Sequence, residues 1–200
     1  MAQQVATANQ AGSAKAVVDD PITSNGGRNW AGISRILIGF IFLWAFLDKN
    51  FGLGYATPSE NAWQFGTGEG NPTAGFLKFG TNPEGFLADF FTGLAPSSPS
   101  GLVNWLFMFA LLGAGIGLIL GVFMRFATVG GAILLFMMYL AVAPWAKVTG
   151  EDGTVTAKPN PIIDDHIIYG AVLLLLLFVS AGRYLGLGRA WERKVPWILQ

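Results

Sequence analysis

The sequence predicts an all-α membrane protein: a bundle of four transmembrane helices with both termini in the cytoplasm (N-in, C-in). This prediction depends on the composition, on the apolar runs and on the placement of basic residues. Of the 200 residues, 52% are hydrophobic and 12% are charged, against roughly 25% charged in an average soluble domain. Lipid is the solvent that accommodates so much apolar side chain, and a formal net charge of zero gives no field that attracts nucleic acid.

The predicted spans follow from run length, because about 20 apolar residues in a helix cross the ~30 Å of hydrocarbon. Residues 102–124 and 126–146 contain no charge, and Arg125 alone separates them, which predicts a tight turn at the membrane surface. The spans at 30–47 and 166–183 carry ionisable residues near their ends. All four are predicted as helices because a backbone in lipid must satisfy its own hydrogen bonds.

Basic residues give the orientation, since they mark the cytoplasmic side of a membrane. With four spans, the termini and Arg125 share a side that holds seven Lys and Arg residues, whereas the other side holds four lysines and nine of the 12 carboxylates. The sequence predicts a disordered cytoplasmic tail at 1–28 and a membrane domain at 29–192, whose two outer loops are 48–101 and 147–165. A cytoplasmic C-terminus follows at 193–200.

The outer loop 48–101 is rich in aromatic residues, which disordered segments lack. Five apolar residues in it recur at helical spacing opposite Glu84 and Asp89, namely Phe86, Leu87, Phe90, Phe91 and Leu94. This pattern predicts a short amphipathic helix at the interface, within a loop that folds over the outer mouth of the bundle. The alternative is a mobile loop in the headgroup layer.

Small residues are regularly spaced on the second span. Gly113, Gly117 and Gly121 lie four residues apart on one face, and this spacing lets helix backbones approach closely in lipid. The glycines predict packing inside one bundle in preference to a dimer interface.

His166 is the only histidine, and it follows Asp164 and Asp165 at the start of the fourth span. Both carboxylates suit the cap and first turn of a helix, where backbone N–H groups are free. An imidazole beside a carboxylate also exchanges protons near neutral pH, and Tyr169 follows on the same face. The segment is therefore either a capped helix start with an interfacial histidine or a site where His166 and Asp165 handle protons.

A second polar group ends the first span. Asp48 and Lys49 follow Trp44, which shares the face of Asp48. The first span runs outward and the fourth runs inward, so this group meets His166 at the outer mouth if the two helices are neighbours. Such an arrangement would hold a flat apolar head with polar edges. The alternative is a set of capping and anchoring charges.

Arg35 lies ~20 Å from Asp48 along a helix, so the two side chains do not pair. The favoured prediction is that Arg35 snorkels to the cytoplasmic headgroups. The alternative is that it faces the bundle and binds carbonyls or an anion near Arg125, because ionisable residues inside a membrane are functional candidates.

Several cofactor motifs are absent from the sequence. The chain has no cysteine, which excludes disulfides, thiolate metal sites and iron–sulfur clusters. It also lacks a bis-histidine haem set, a metal-ligand cluster of familiar spacing and a phosphate-binding glycine loop. We therefore expect the chain to hold no haem, metal or iron–sulfur centre of its own.

Four stretches carry a family resemblance: RILIGFIFLWAFLDKNFGLGYAT, AWQFGTGEGNPTAGFL, GLILGVFMRFATVGGAILLFMMYLAVAPW, and NPIIDDHIIYGAVLLLLL with the later GRYLGLGRAWE. They resemble the DoxX/DoxD-like family, which includes the small membrane subunit of thiosulfate:quinone oxidoreductase. The resemblance covers about 28–192, and its most distinctive part is DDHIIY after a Pro-Asn-Pro turn. It implies a four-helix, multi-pass protein of the prokaryotic plasma membrane that works beside a partner subunit in electron delivery to quinone.

With quinone as the implied cofactor, the outer-mouth residues have expected roles. These roles are proton handling by His166, Asp165 and Asp48, and quinone contact by Trp44, Lys49, Tyr169 and Arg35. The chain would then be a subunit of a quinone oxidoreductase. The alternative function is a non-catalytic scaffold or assembly subunit whose outer loop docks a partner protein.

Overall fold

The computed structural model describes residues 20–65, 70–150 and 154–196, and most of the predicted N-terminal tail lies outside them. Within these ranges the chain is mostly helical, with almost no sheet. The α-helices are α1 Asn25–Phe51, α2 Ala88–Gly93, α3 Leu102–Leu120, α4 Met124–Val142, α5 Asp165–Phe178 and α6 Gly188–Glu192. One small hairpin pairs β1 Val148–Thr149 with β2 Val155–Thr156, antiparallel.

Three helices, α1, α3 and α4, are long and apolar enough to cross a membrane. They correspond to the first three predicted spans, so the chain is a mostly helical protein with the composition of a multi-pass membrane protein. The fourth predicted span, 166–183, forms the shorter apolar helix α5.

The fourth predicted helix ends early. α5 has 14 residues and measures about 21 Å. It stops at Phe178 because Ser180 adopts a left-handed conformation, with φ 51°, which residues other than glycine rarely adopt. A single 3-10 turn, Ala181–Arg183, follows. The prediction of helix as far as residue 183 is therefore wrong at its C-terminal end.

The turn between α3 and α4 also differs from the prediction. We expected Arg125 alone to separate the two helices, but α3 ends at Leu120 and α4 begins at Met124. Gly121 ends α3 in the left-handed conformation, with φ 74°, where glycine has no steric penalty. Gly121 is thus a helix cap that also packs inside the bundle, since an added Cβ would lie 2.7 Å from the carbonyl oxygen of Gly182, and Arg125 belongs to the first turn of α4.

The first helix is longer than predicted, and its caps explain why. Ser24 accepts a hydrogen bond from the backbone N–H of Gly27 at 3.1 Å, which caps the N-terminus. At the other end, Gly52 is left-handed with φ 61°, and its N–H donates to the carbonyl of Asp48. The helix therefore covers 27 residues and includes 25–28, which the sequence assigned to a disordered tail.

The long helices pack in the order α1, α3, α4, α5. The core between them contains Ile38 and Phe42 of α1, Met108 and Leu118 of α3, and Leu173 of α5. These side chains bury one face of each helix and leave the others exposed, as expected where lipid is the solvent.

The close crossing of α1 and α3 uses different glycines from those predicted. A Cβ on Gly115 would lie 2.8 Å from the backbone nitrogen of Leu43, and one on Gly39 would lie 2.8 Å from the Cβ of Leu118. Gly113, by contrast, has no atom within 4 Å of the position of an added Cβ. The expected packing inside the bundle is confirmed for Gly117, where an added Cβ would lie 2.9 Å from the Cβ of Ala127 of α4, but Gly113 is not part of it.

The bundle has two distinct ends. We call the end that contains the start of α1, the α3–α4 turn and the segment after α5 the arginine end, because Arg35, Arg125 and Arg183 lie there. The opposite end, where α1 ends and α5 begins, is the loop end. There the segment 52–101 is folded against the helices, since buried Asn104 of α3 accepts hydrogen bonds from the backbone N–H and the hydroxyl of Thr73.

The amphipathic helix expected in this loop forms only as the six residues of α2. Phe91 is buried with Leu77 and Ala141 in a second apolar cluster, whereas Phe86 and Phe90 are exposed. Asn82 fixes the same part of the loop to the end of α4, because its amide donates to the carbonyls of Ala143 and Ala146 at 3.2 and 3.0 Å.

Candidate functional site

His166 forms a carboxylate–imidazole pair with Asp164 at the start of α5. Asp164 Oδ2 lies 2.8 Å from His166 Nδ1, and Asp164 Oδ1 accepts the backbone N–H of Ile167 at 3.2 Å. The helix cap therefore holds the carboxylate in place beside the ring. This contact orients the ring and leaves its Nε2 edge for a further partner.

Asp165 is the more distant of the two carboxylates. Its Oδ1 lies 3.5 Å from His166 Nδ1, and its side chain is 69% exposed. The nearer carboxylate to His166 is therefore that of Asp164, and the proton-handling role expected of Asp165 stays a prediction. Ligand-type atoms of Asp164, Asp165 and His166 lie within 4.8 Å of one another, a grouping that the sequence did not predict as a metal-ligand cluster.

Asp48 is buried and holds the turn that follows α1. Its Oδ1 accepts the backbone N–H of Tyr55 at 3.2 Å, and its Oδ2 accepts that of Ala56 at 2.9 Å. Both oxygens thus have a structural role in the described fold. The catalytic role expected of Asp48 stays a prediction.

Trp44, Asp48 and Lys49 lie together, as their spacing predicts. They line a groove of about 500 Å³ along α1. The ring of Trp44 meets the edge of the Tyr55 ring, with 5.1 Å between the ring centroids. No hydrogen bond or ion pair among the described residues connects this group to His166, and the joint site expected of the two groups stays a prediction.

A larger apolar cavity of about 550 Å³ lies between α3 and α4 at the loop end. Its walls come from both helices and from the loop above them: Val103, Leu106, Phe107, Ala110, Gly130, Ile133, Leu134, Met137, Met138, Pro72, Thr73, Phe76, Leu77, Phe91 and Leu94. Leu106 is 61% exposed and Ile133 is 59% exposed. The cavity therefore opens sideways, on the face that lipid would cover.

Lys49 is the only charged residue among the described residues that line this cavity. It also lines the groove along α1. Its backbone is fixed, because its carbonyl accepts the N–H of Trp63 at 2.9 Å. The predicted cofactor residue Lys49 thus borders two apolar spaces.

Sequence reasoning missed the walls of the cavity. The signal that pointed to them is Asn104, a polar residue near the start of an otherwise apolar span. It is fully buried and lies 2.6 Å from the hydroxyl of Thr73. A buried amide at that position needs partners, and the loop supplies them, which brings Thr73 and Phe76 over the space between α3 and α4.

Arg35 does not snorkel. It is fully buried in the protein, and its guanidinium donates to the carbonyls of Leu118, Ile119, Tyr184 and Leu185. The favoured prediction was therefore wrong, and the alternative, binding of carbonyls inside the bundle, is the observed one. Arg35 lies at the arginine end, away from the loop-end groups with which a quinone-contact role would associate it.

Tyr169 is half-buried and packs against the main core, which includes Phe42 and Leu173. It lies about one turn below His166 on α5. Its expected contact with quinone stays a prediction.

The chain matches no protein-family model, no curated protein and no solved structure. The function therefore has to be argued from the residues and their geometry.

Proposed function

We propose that this chain is a membrane subunit of quinone-linked electron transfer, and that the cavity between α3 and α4 receives the quinone. The observation that carries the proposal is an apolar space of about 550 Å³ with Lys49 as its only charged lining residue in the described chain. Ligand sites of this kind combine a mostly apolar wall with few polar groups that fix the ligand's orientation. The resemblance to the DoxX/DoxD-like family agrees with this assignment, and the proposal includes a location in the prokaryotic plasma membrane.

The chemistry of a quinone suits this wall. Its flat ring packs against Phe76 and Phe107, and a ring carbonyl accepts a hydrogen bond from the Lys49 ammonium. The isoprenoid tail leaves through the lipid-facing opening between Leu106 and Ile133. In this proposal Lys49 makes the cavity selective for a quinone over a plain alkane chain, because a hydrogen bond from a charged donor is stronger than one from a neutral donor.

Reduction of a quinone to a quinol takes up two electrons and two protons. In this proposal the electrons come from a partner subunit that carries a redox centre. In this proposal His166 exchanges the protons, because Asp164 Oδ2 orients its ring through a contact to Nδ1 at 2.8 Å. Histidine is the side chain that most often acts as a general acid or base.

Lys49→Met tests the quinone site. Loss of a hydrogen bond from a charged donor, worth about 1.5–3 kcal/mol, lowers the affinity of the purified chain for a short-tailed quinone analogue by about tenfold or more. Lys147→Met is the matched control, because Lys147 is an exposed lysine that does not line the cavity. Equal affinity of Lys49→Met and the parent chain would contradict the proposed site.

His166→Gln separates binding from turnover. The variant retains quinone binding at the cavity and loses quinone-dependent turnover in native membranes, because the glutamine amide is not a base. Normal turnover in this variant would remove His166 from the proposal and leave the quinone site standing.

The second candidate function is a non-catalytic scaffold that docks a partner protein. It is favoured by exposed aromatic side chains at the loop end, with Tyr55 76%, Phe79 87% and Phe86 73% exposed. The double variant Phe79→Ser, Phe86→Ser distinguishes the two. Under the scaffold function it loses a stoichiometric partner in complexes purified from membranes, and Lys49→Met leaves that partner bound.

A further inference from the structure

At the arginine end, three guanidinium groups surround a single carboxylate. Asp20 lies 2.7 Å from Arg189, 3.3 Å from Arg28 and 3.6 Å from Arg183. The three arginines come from the start of α1, from the turn after α5 and from α6. One carboxylate neutralises only one of them, so the fold gathers positive charge at this point.

A cavity of about 270 Å³ adjoins this group. Its lining includes Arg125, Ser180 and Arg183, together with Glu192, which pairs with Arg183 at 2.9 Å. The ion-pair cluster and the cavity lining together contain four arginines and two carboxylates, a formal net charge of +2: Arg28, Arg125, Arg183, Arg189, Asp20 and Glu192. At ~30 Å³ per water, the cavity has room for about nine waters, which is ample for a phosphate group.

The depth of this arginine cluster matches the headgroup layer of a bilayer. It lies where α1 and α4 begin and where α5 ends, so the charges lie at the boundary of the apolar helices. Large apolar side chains beside it are exposed, with Trp30 68%, Leu185 54% and Leu187 55% exposed. A ligand at this place finds cations for its head and apolar side chains for its chain.

We propose that the arginine cluster binds the phosphate of an anionic phospholipid, and that Asp20 occupies the site when the lipid is absent. Guanidinium groups match phosphate oxygens with paired hydrogen bonds. Basic residues at a membrane boundary attract anionic lipid. Asp20 is the internal substitute for the phosphate, because its carboxylate accepts a hydrogen bond from Arg189 and forms ion pairs with Arg28 and Arg183. This inference is independent of the quinone site.

The test uses the purified full chain in neutral detergent with equal amounts of phosphatidylglycerol and phosphatidylcholine, and native mass spectrometry counts the retained lipids. We expect retention of phosphatidylglycerol in preference to phosphatidylcholine. Arg189→Gln lowers that preference about fivefold, the factor that one basic residue contributes near an anionic surface. Arg193→Gln is the matched control, because Arg193 is exposed and lies outside the cluster.

Asp20→Asn is expected to change lipid retention in the opposite direction to Arg189→Gln. It removes the competing carboxylate and raises phosphatidylglycerol retention, whereas a purely structural ion-pair cluster would lose stability and gain no lipid. The proposal is overturned if the parent chain shows no preference, if Arg189→Gln behaves like Arg193→Gln, or if Asp20→Asn lowers retention. It is also overturned if excess inorganic phosphate removes the preference completely, because the site would then take a free anion.

Discussion

Arg35 illustrates how one buried charge organises an entire end of the bundle. The last carbonyls of a helix have no partner within the helix, and the Arg35 guanidinium satisfies those of Leu118 and Ile119 at the end of α3. It also binds the carbonyls of Tyr184 and Leu185 at 3.1 and 3.0 Å. A single side chain of α1 thus connects the end of α3 with the segment after α5.

Removal of this side chain leaves several carbonyls without a donor. We expect Arg35→Met to lower the free energy of unfolding by about 3 kcal/mol, since unsatisfied buried acceptors cost about 1–3 kcal/mol each and some will find other donors. Chemical denaturation in detergent measures the change, with Arg193→Met as the control. An unchanged midpoint would show that these hydrogen bonds contribute no net stability.

At single residues, the sequence indicated which groups matter more accurately than it indicated their partners. The acidic start of α5 and the burial of an arginine were foreseen as possibilities, but the sequence did not show which of the two carboxylates lies nearer to His166. The helix cap decides this, because it turns Asp164 toward both the N–H of Ile167 and the imidazole. The spacing of residues along the sequence does not predict which way the Asp164 side chain points.

Among the elements, the crossing of α1 and α3 depends on two glycines that face each other's helices. The backbone of Leu43 occupies the space beside Gly115, and Leu118 occupies the space beside Gly39. Dispersion contacts at such close approach replace the hydrophobic drive that lipid does not supply. The crossing is therefore sensitive to a single methyl group.

Gly115→Ala tests this sensitivity against Gly113→Ala on the same helix. The new methyl at Gly115 would lie 2.8 Å from a backbone nitrogen, and overpacking of this kind costs about 1–3 kcal/mol. Gly113 has open space, so its substitution is neutral or stabilises through helix propensity by up to about 1 kcal/mol. Thermal unfolding in detergent compares them, and equal behaviour of the two variants would contradict the crossing.

Helix centres were predictable and helix ends were not. Long apolar runs located α1, α3 and α4, because lipid-compatible helices need length and few charges. The helix ends differ from the predicted ones beside three residues with positive φ values, namely Phe123, Ala143 and Ser180. These residues carry no turn signal, unlike Gly121, so packing around them, and not local preference, determines where the helices stop.

For the whole molecule, charge differs between the two ends of the bundle. The arginine end holds Arg28, Arg125, Arg183 and Arg189, while Asp48, Asp164 and Asp165 lie at the loop end. By the rule that basic residues stay in the cytoplasm, we propose four spans with the arginine end inside. The described chain begins and ends at that same end, since Asp20 pairs with Arg189.

The absence of native cysteine makes this topology directly testable. Single variants Glu60→Cys and Asp165→Cys should react with a membrane-impermeant maleimide on intact cells, and Arg193→Cys should react only after the membrane is opened. Labelling of Asp165→Cys and Arg193→Cys from the same face would show that α5 does not cross the bilayer.

The shortness of α5 has a consequence for the lipids around it. A helix of about 21 Å in a hydrocarbon layer of ~30 Å produces hydrophobic mismatch, which a bilayer accommodates by local thinning. If α5 crosses the bilayer, the membrane is locally thinner beside it, and lipids with shorter acyl chains are enriched there. Water and headgroups then approach both His166 at one end of the helix and Ser180 at the other, so the deformed membrane itself would hydrate the imidazole for which proton exchange is proposed.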